Sequence, residues 1–282
     1  MGDARADGRR GPSYVAVHTS GSPLFSKLFA KPSAVVAPPS TGGRLIYAVG
    51  DVHGRLDVLE PLLADIAADA VRTRPAHRPL LIFLGDYVDR GEASAGVVET
   101  IRKLYSNEAF EVVALKGNHE EALFQFLDDP GFGPMWMEHG GATTLASYGV
   151  QPPTGRGDPE SWIRARDAFA AALPDTHRDF LASLELMVTV GDYAFVHAGV
   201  RPGSPLERQT ERDLLWIRHD FINASGPFEK VIVHGHTPAE TPQITPHRIC
   251  VDTGVYATGV LTAVRLDEAG PQILQAGRRR AA

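Results

Sequence analysis

The chain has 282 residues, 43% of them hydrophobic, and a formal net charge of −6. That is enough apolar material for a large core in one domain or two, and the acidic balance excludes the bulk electrostatics of a nucleic-acid or anionic-membrane binder. The single cysteine, Cys250, excludes an internal disulfide and a thiolate zinc site, and no apolar run reaches the ~18 residues of a membrane span.

Residues 1–43 are rich in Gly, Ser, Pro and Arg, and "APPSTGGR" (37–44) reads as a linker, so a flexible N-terminal arm is expected there. "PLFSKLFAKP" (23–32) offers one short amphipathic turn, but a mobile tail accounts for the composition more simply. No signal-peptide core is present, which with the reduced cysteine points to a soluble, cytoplasmic protein. "RLIYAVG" (44–50) is a strand, and Leu59, Leu62, Leu63, Ile66 and Ala70 mark one face of the helix after it. "PLLIFLG" (79–85) is a second strand, followed by a helix through Val97, Val98 and Ile101. "FEVVALKG" (110–117) is a third, with a helix from about Glu120. This alternation implies a parallel core with right-handed crossovers. Residues 134–185 read as helical. "LMVTVG", "YAFVHAG", "KVIVHG", "RICVDTG" and "VLTAVRL" then suit a second sheet, with residues 271–282, including Arg278–Arg280, as a solvated tail. The fold class is α/β, two sheets packed together, with a catalytic domain over 44–270.

The polar loops fall at strand ends. "GDVHG" (50–54), "GDYVDRG" (85–91) and "GNHE" (117–120) follow the three parallel strands, on the edge where such sheets form ligand crevices. Later strands deliver His197 in "VHAG", and His234 and His236 in "VHGHTP". A lone histidine at a strand end is more often a satisfied or solvated one than a ligand. Five such loops in order are another matter, because buried charge without partners is costly. Asp51, His53, Asp86, Asn118, His197 and His236 offer oxygen and imidazole donors without sulfur, a set suited to manganese, iron or zinc. Six donors exceed one tetrahedral site and match two metals sharing a carboxylate, for which Asp86 is central in chain order.

These motifs resemble the metallophosphoesterase superfamily and, within it, the phosphoprotein phosphatase family in its short bacterial and bacteriophage form, over roughly residues 44 to 266. The resemblance implies a four-layer sandwich of two mixed sheets with a dimetal site between them. It implies that Asp51, His53 and Asp86 hold the first metal, and Asp86, Asn118, His197 and His236 the second. The two ions are expected to be manganese, with iron or zinc as substitutes. His234 has no counterpart among the ligands and reads as a supporting or structural residue.

Two such ions activate water for in-line attack on phosphorus and neutralise phosphate oxygens, with no covalent intermediate. Cys250, in an apolar strand, is core. His119 is the candidate acid for the leaving oxygen and Asp89 its orienting carboxylate, a pairing the family shares. Asp89 as an N-cap for a helix near Glu92 is the plainer reading, but it does not explain the position beside Arg90. Arg90 can grip phosphate with its planar fork, and Arg218 in "LLWIRH" is preferred over Arg201 as the second arginine. The intact "YVDRG" favours a protein serine/threonine phosphatase acting on phosphoproteins or phosphopeptides. The alternative is a hydrolase of dinucleoside polyphosphates or other nucleotides, and a silent phosphopeptide-binding module is the third reading. The helical stretch containing "EHGGATTLASYG" is expected to line the substrate groove.

Overall fold

All four residues of β1, Ile46–Val49, are buried, a pattern carried by a strand covered on both faces. In the computed structural model, which describes residues 39–154 and 158–277, β1 is the middle strand of a five-stranded sheet. α1 (Leu56–Thr73) connects it to β2 (Leu80–Phe83), and α2 (Ser94–Leu104) connects β2 to β3 (Glu111–Ala114). The three strands are parallel, with Ile46 opposite Leu80 and Leu80 opposite Glu111. The expected helical section holds α3 (Asn118–Asp128), α4 (Gly133–Glu138), α5 (Gly141–Ser147), α6 (Pro159–Ala172) and α7 (Asp175–Ala182). Then come β4 (Met187–Val190), β5 (Tyr193–Val196), α8 (Glu211–Trp216), α9 (His219–Ile222), β6 (Val231–His234), β7 (Gln243–Ile244) and β8 (Arg248–Cys250). Their strands form a second mixed sheet in the order β4-β5-β6-β8-β7. The chain ends in α10 (Val255–Thr258), β9 (Val260–Leu266) and β10 (Gln272–Gly277), which complete the first sheet as β10-β9-β1-β2-β3.

Side chains alternate across each strand. Ile46, Ala48, Leu80 and Ile82 meet Tyr193, Phe195, Val233 and Ile249 of the second sheet between the layers. Tyr47, Val49, Leu81 and Phe83 point the other way, onto α1, α2 and the helical insert. Ala194, Val196 and Ile232 cover the far face of the second sheet with Phe221 and Leu214. Each large side chain so buried contributes about 1.5–3 kcal/mol, and together they fix the two sheets whose strand ends carry the polar loops.

Several expectations need correction. "VLTAVRL" belongs to the first sheet: Ile46 faces Leu266 across an antiparallel pair. Because β9 is buried almost throughout, its pattern carries no sign of which sheet it joins. The supposed tail from 271 includes β10, a largely exposed edge strand with little apolar alternation, paired along β9. The arm does not extend to residue 43. Glu268 accepts hydrogen bonds from the backbone of Thr41 and Gly43 and from the hydroxyls of Ser40 and Thr41, and Thr41 is fully buried. α3 starts at Asn118, so Asn118 and His119 occupy its first turn rather than the loop before it. The segment 23–32 and Arg278–Arg280 lie outside the described residues.

Candidate metal centre and active site

The backbone at the strand ends bends in a way side chains resist. Among the described residues six non-glycines have positive φ, and five are His53, Asp86, Asp89, Arg90 and His236. Such conformations cost on the order of 1–3 kcal/mol each and persist where surrounding bonds over-determine them. Here Val52 and His53 donate their N–H groups to the Asp86 carbonyl at 3.0 and 2.8 Å, and Gly54 donates to Tyr87 at 2.8 Å. The Glu120 carboxylate accepts the N–H groups of Asp86, Tyr87 and Gly117 at 2.9, 2.7 and 2.9 Å. Burial, with Asp86 nearby, pushes Glu120 up to about 7. The first loop, the second loop and the start of α3 are thereby locked together.

Asp86 sits at the centre. Its Oδ2 is 3.6 Å from His53 Nε2, and its Oδ1 is 3.4 Å from His197 Nε2. Two groups that could each hold a metal ion share it: His53, Asp86 and His119 on one side, Asp86, His197 and His236 on the other. Asn118 Oδ1 joins the second group, 2.9 Å from His197 Nε2 and 2.8 Å from His236 Nδ1. Asp51 lines the same pocket and its carboxylate accepts the His236 N–H at 3.0 Å. Five of the six residues expected as ligands, Asp51, His53, Asp86, Asn118 and His236, thus line one cavity of about 190 Å³. The sixth, His197, meets them through Asp86, Asn118 and His236, and His119 approaches the first group as well.

The donor chemistry fits cations. His197 Nδ1 faces the Leu84 carbonyl at 2.9 Å and His53 Nδ1 the Val88 carbonyl at 3.0 Å, so each ring places its proton there and turns a bare Nε2 inward. Those lone pairs converge with the Asn118 oxygen and the Asp86 carboxylate, acceptors facing acceptors, which is unfavourable unless a positive ion lies among them. Burial keeps the imidazoles neutral, pulling His53 down to about 3 and His236 to about 2. Among the described residues, buried His236 Nε2 has no hydrogen-bond partner. Burial and the neighbouring Asp252 and Asp86 anions drive the Asp51 carboxyl well above its usual range, a strain that a cation relieves. No thiolate enters the set, and Cys250 is a buried thiol pushed up to about 12 by burial.

Close packing leaves no room for side chains at two glycines. A Cβ on Gly235 would lie 1.9 Å from Asp51 Oδ1, and one on Gly117 would lie 2.2 Å from Asp86 Oδ1.

Beside the cluster, His119 Nδ1 lies 2.6 Å from Asp89 Oδ2. Burial alone would keep the ring neutral, but Asp86 and Asp89 outweigh it and raise His119 above its ordinary value. Asp89 is no N-cap, since α2 begins only at Ser94. Its carboxylate also accepts Trp136 Nε1–H at 2.9 Å and the Thr144 hydroxyl at 2.6 Å, both from the helical insert. Arg90 Nη2 is 3.3 Å from His119 Nε2, and its guanidinium lies 4.2 Å from the centre of the Tyr256 ring. Arg218 lines the cavity and donates to the His236 carbonyl at 3.1 Å. Arg201 does not line it. Its Nε binds Asp213 at 3.0 Å, and Asp220 lies 3.7 Å from its Nη1. His234 also points elsewhere, against Phe221, with Nδ1 on the Gly235 carbonyl.

Sequence reasoning missed Asp252, buried in the cavity wall and pushed up to about 6 by burial, with Asp86 adding to the rise. "CVDTG" repeats the apolar-strand, acid and glycine format of the ligand loops and was the available signal. It also missed His139 in the cavity lining. The insert was expected as groove wall, and His139 does line the cavity, but Trp136, fully buried, and Thr144 sit behind Asp89.

A model of the calcineurin-like phosphoesterase family matches residues 44–259. The asymmetrical bis(5'-nucleosyl)-tetraphosphatase PrpE of Bacillus velezensis is 26% identical over 238 residues, covering 78% of this chain and 88% of that protein. The protein of the same name from Geobacillus thermodenitrificans is 26% identical over 241 residues, covering 79% and 91%. A solved structure provisionally assigned as a diadenosine tetraphosphatase aligns with a TM-score of 0.57 at 19% identity, over 86% of this chain and 97% of that one. A cold-active protein-tyrosine phosphatase of a psychrophilic Shewanella gives 0.52 at 15% identity, over 83% and 81%. At these identities the two structures speak to the fold alone.

Proposed function

The chain belongs to the calcineurin-like phosphoesterase family, and from that premise we propose that this metal-binding phosphoester hydrolase splits dinucleoside tetraphosphates asymmetrically, into a nucleoside triphosphate and a nucleoside monophosphate. The observation that carries the reading is a pair of half-exposed aromatic rings at the cavity rim. Trp216, 41% exposed, packs edge-on to His236, and Tyr256, 39% exposed, packs edge-on to His53. One ring therefore stands beside each half of the cluster, and base–aromatic stacking is worth about 1–3 kcal/mol per base. The PrpE relatives, named as bis(5'-nucleosyl)-tetraphosphatases, support the same substrate class.

Asp51, His53 and Asp86 would hold one ion, and Asp86, Asn118, His197 and His236 the other. When bound, the ions supply positive charge against the phosphate oxygens and lower the pKa of the attacking water. Arg90 and Arg218, both in the cavity wall, orient the reacting phosphate with charge-assisted bonds. The water oxygen bonds to phosphorus as the bond to the leaving oxygen breaks. The His119 Nε2 proton passes to that oxygen, while Asp89 holds the opposite ring nitrogen.

A second reading, the phosphoprotein phosphatase favoured by sequence, has its own support. An alkoxide leaving group needs a proton far more than a nucleotide phosphate does, and the His119–Asp89 pair is fully assembled. Measuring kcat/KM for diadenosine tetraphosphate and for a phosphoserine peptide decides between them. At least a tenfold preference for the dinucleotide, about 1.4 kcal/mol, is expected, together with a raised KM for Trp216→Ala on that substrate. A tenfold preference for the peptide would overturn the proposal.

A further inference from the structure

A second groove of about 460 Å³ adjoins the metal cavity, and the two share Arg90 and Tyr256. Its other lining residues are Gly54, Arg55, Asp57, Gly91, Glu92 and Ala93. Resting on the dinucleotide reading above, we propose that this groove is the subsite for the nucleoside on the leaving side of the scissile bond.

Its position follows from the acid. The leaving oxygen departs toward His119, and Arg90 is the residue immediately beside His119 Nε2, at 3.3 Å. Whatever extends beyond the leaving phosphate must pass Arg90 and the Tyr256 ring on which it lies, and the groove opens there. Arg90 thus divides phosphate from nucleoside, and the exposed part of Tyr256 offers a base an aromatic surface.

The walls are built in advance. Arg55 is held by both Asp57 oxygens at 2.7 Å and donates to the Val255 carbonyl at 2.9 Å, which leaves its guanidinium fixed rather than mobile. Glu92 is exposed and accepts no hydrogen bond among the described residues. It does feel the charge of Arg55. A carboxylate with no hydrogen bond of its own among the described residues, at the mouth of a groove that ends on an aromatic ring, matches a ribose, whose two vicinal hydroxyls donate to one acid. The groove's mixture of arginine, carboxylate and ring is chemistry for a nucleoside, whereas an extended peptide would ask for unpaired backbone groups or apolar side-chain pockets.

The test compares KM for diadenosine tetraphosphate with KM for p-nitrophenyl phosphate in the metal-loaded enzyme. It adds the Kd of a methylene-bridged, non-hydrolysable diadenosine tetraphosphate measured by calorimetry. Ala93→Trp, which fills the groove, is expected to raise the ratio of the two KM values and the analogue's Kd at least tenfold. Glu92→Gln, a surface change that spares folding, is expected to raise both at least threefold, and to have no such effect on a dinucleotide lacking the 2'- and 3'-hydroxyls. If the wild-type enzyme prefers the dinucleotide but neither variant moves the ratio or the Kd, the subsite is wrong and the functional reading stands. If the wild-type enzyme prefers a phosphopeptide, the functional reading fails and the subsite with it.

Discussion

Asp89→Asn isolates the proton-transfer half of the mechanism. The carboxylate makes three side-chain bonds: Oδ2 accepts from Trp136 Nε1–H and faces His119 Nδ1, and Oδ1 accepts the Thr144 hydroxyl. An asparagine can keep its oxygen toward His119 and Trp136, turning its amide to Thr144, whose hydroxyl rotates to accept. The ring orientation survives and the negative charge does not. A bond to a charged partner is worth about 1.5–3 kcal/mol and a neutral one about 0.5–1.5. The exchange therefore costs the protonated imidazole roughly 1–1.5 kcal/mol, or close to tenfold in rate. Removing an anion that raises His119 lowers its pKa, so the proton is lost earlier as pH rises and the basic limb of kcat/KM moves to lower pH.

The assay is a series of phosphate esters with leaving groups from p-nitrophenolate to an alkyl alkoxide, across pH. The loss in Asp89→Asn should approach tenfold or more for the alkyl ester and fade toward none for p-nitrophenolate, which departs unaided. Asp89→Ala serves as the structural control. It strands the buried Trp136 N–H and Thr144 hydroxyl, at about 1–3 kcal/mol each, and should lower Tm clearly where asparagine does so only slightly. A loss for Asp89→Asn that is equal across leaving groups, with an unmoved basic limb, would refute the assignment of His119 as the acid.

Chelation should abolish hydrolysis and manganese should restore it, and Asp86→Asn should reduce metal content more than any other single ligand change because both donor groups share that carboxylate; elemental analysis checks this. Gly235→Ala, whose methyl would press on Asp51 Oδ1, should weaken the Asp51-side metal first, seen as reduced metal content with an unchanged circular dichroism spectrum. Burial holds His234 at about 3 against an ordinary 6.5, so below 6.5 the unfolded chain binds a proton that the folded chain refuses. Stability therefore falls as pH drops from 6.5 toward 3, and His234→Phe, which keeps the contact with Phe221, should flatten the slope of Tm against pH in that window.

The candidate ligands were legible because most share a local format, a short apolar strand, a glycine, then a donor within three residues, while His197 follows its strand directly, with Gly199 after it. Period-2 burial fixes where the strand ends, and a parallel sheet puts those ends on one edge. Asp252, like His197, follows its apolar strand with the glycine two residues later, but the expected six donors already filled two sites, so "VDTG" was read as a strand end and nothing more. Sheet membership was less legible. β9 is buried on both faces whichever sheet it joins, and β10 is so exposed that its sequence lacks the alternation that would mark a strand. The support of Asp89 was not legible at all. Trp136 and Thr144 lie 47 and 55 residues further along the chain, on short helices whose placement depends on tertiary packing around Phe126 and Phe169.

That placement bears on the choice between substrates. On the proposed mechanism the metals and the acid pair would serve an ester or an anhydride alike, because both reactions put charge on phosphate oxygens and on a leaving oxygen. An intact "YVDRG" therefore speaks for competent chemistry and says little about what is cleaved. Selectivity must come from groups that touch the rest of the substrate, and on the proposed reading those are the rim rings, Trp216 and Tyr256, and the groove past Arg90. Trp136 is no rim residue but is fully buried and bonded to Asp89. On the proposed mechanism Trp136 and Thr144 therefore act through proton transfer, whereas His139 of the same insert lines the cavity. A substitution at Trp136 or Thr144 should change kcat with leaving group while leaving the preference between dinucleotide and peptide untouched, whereas one at Trp216 should do the reverse.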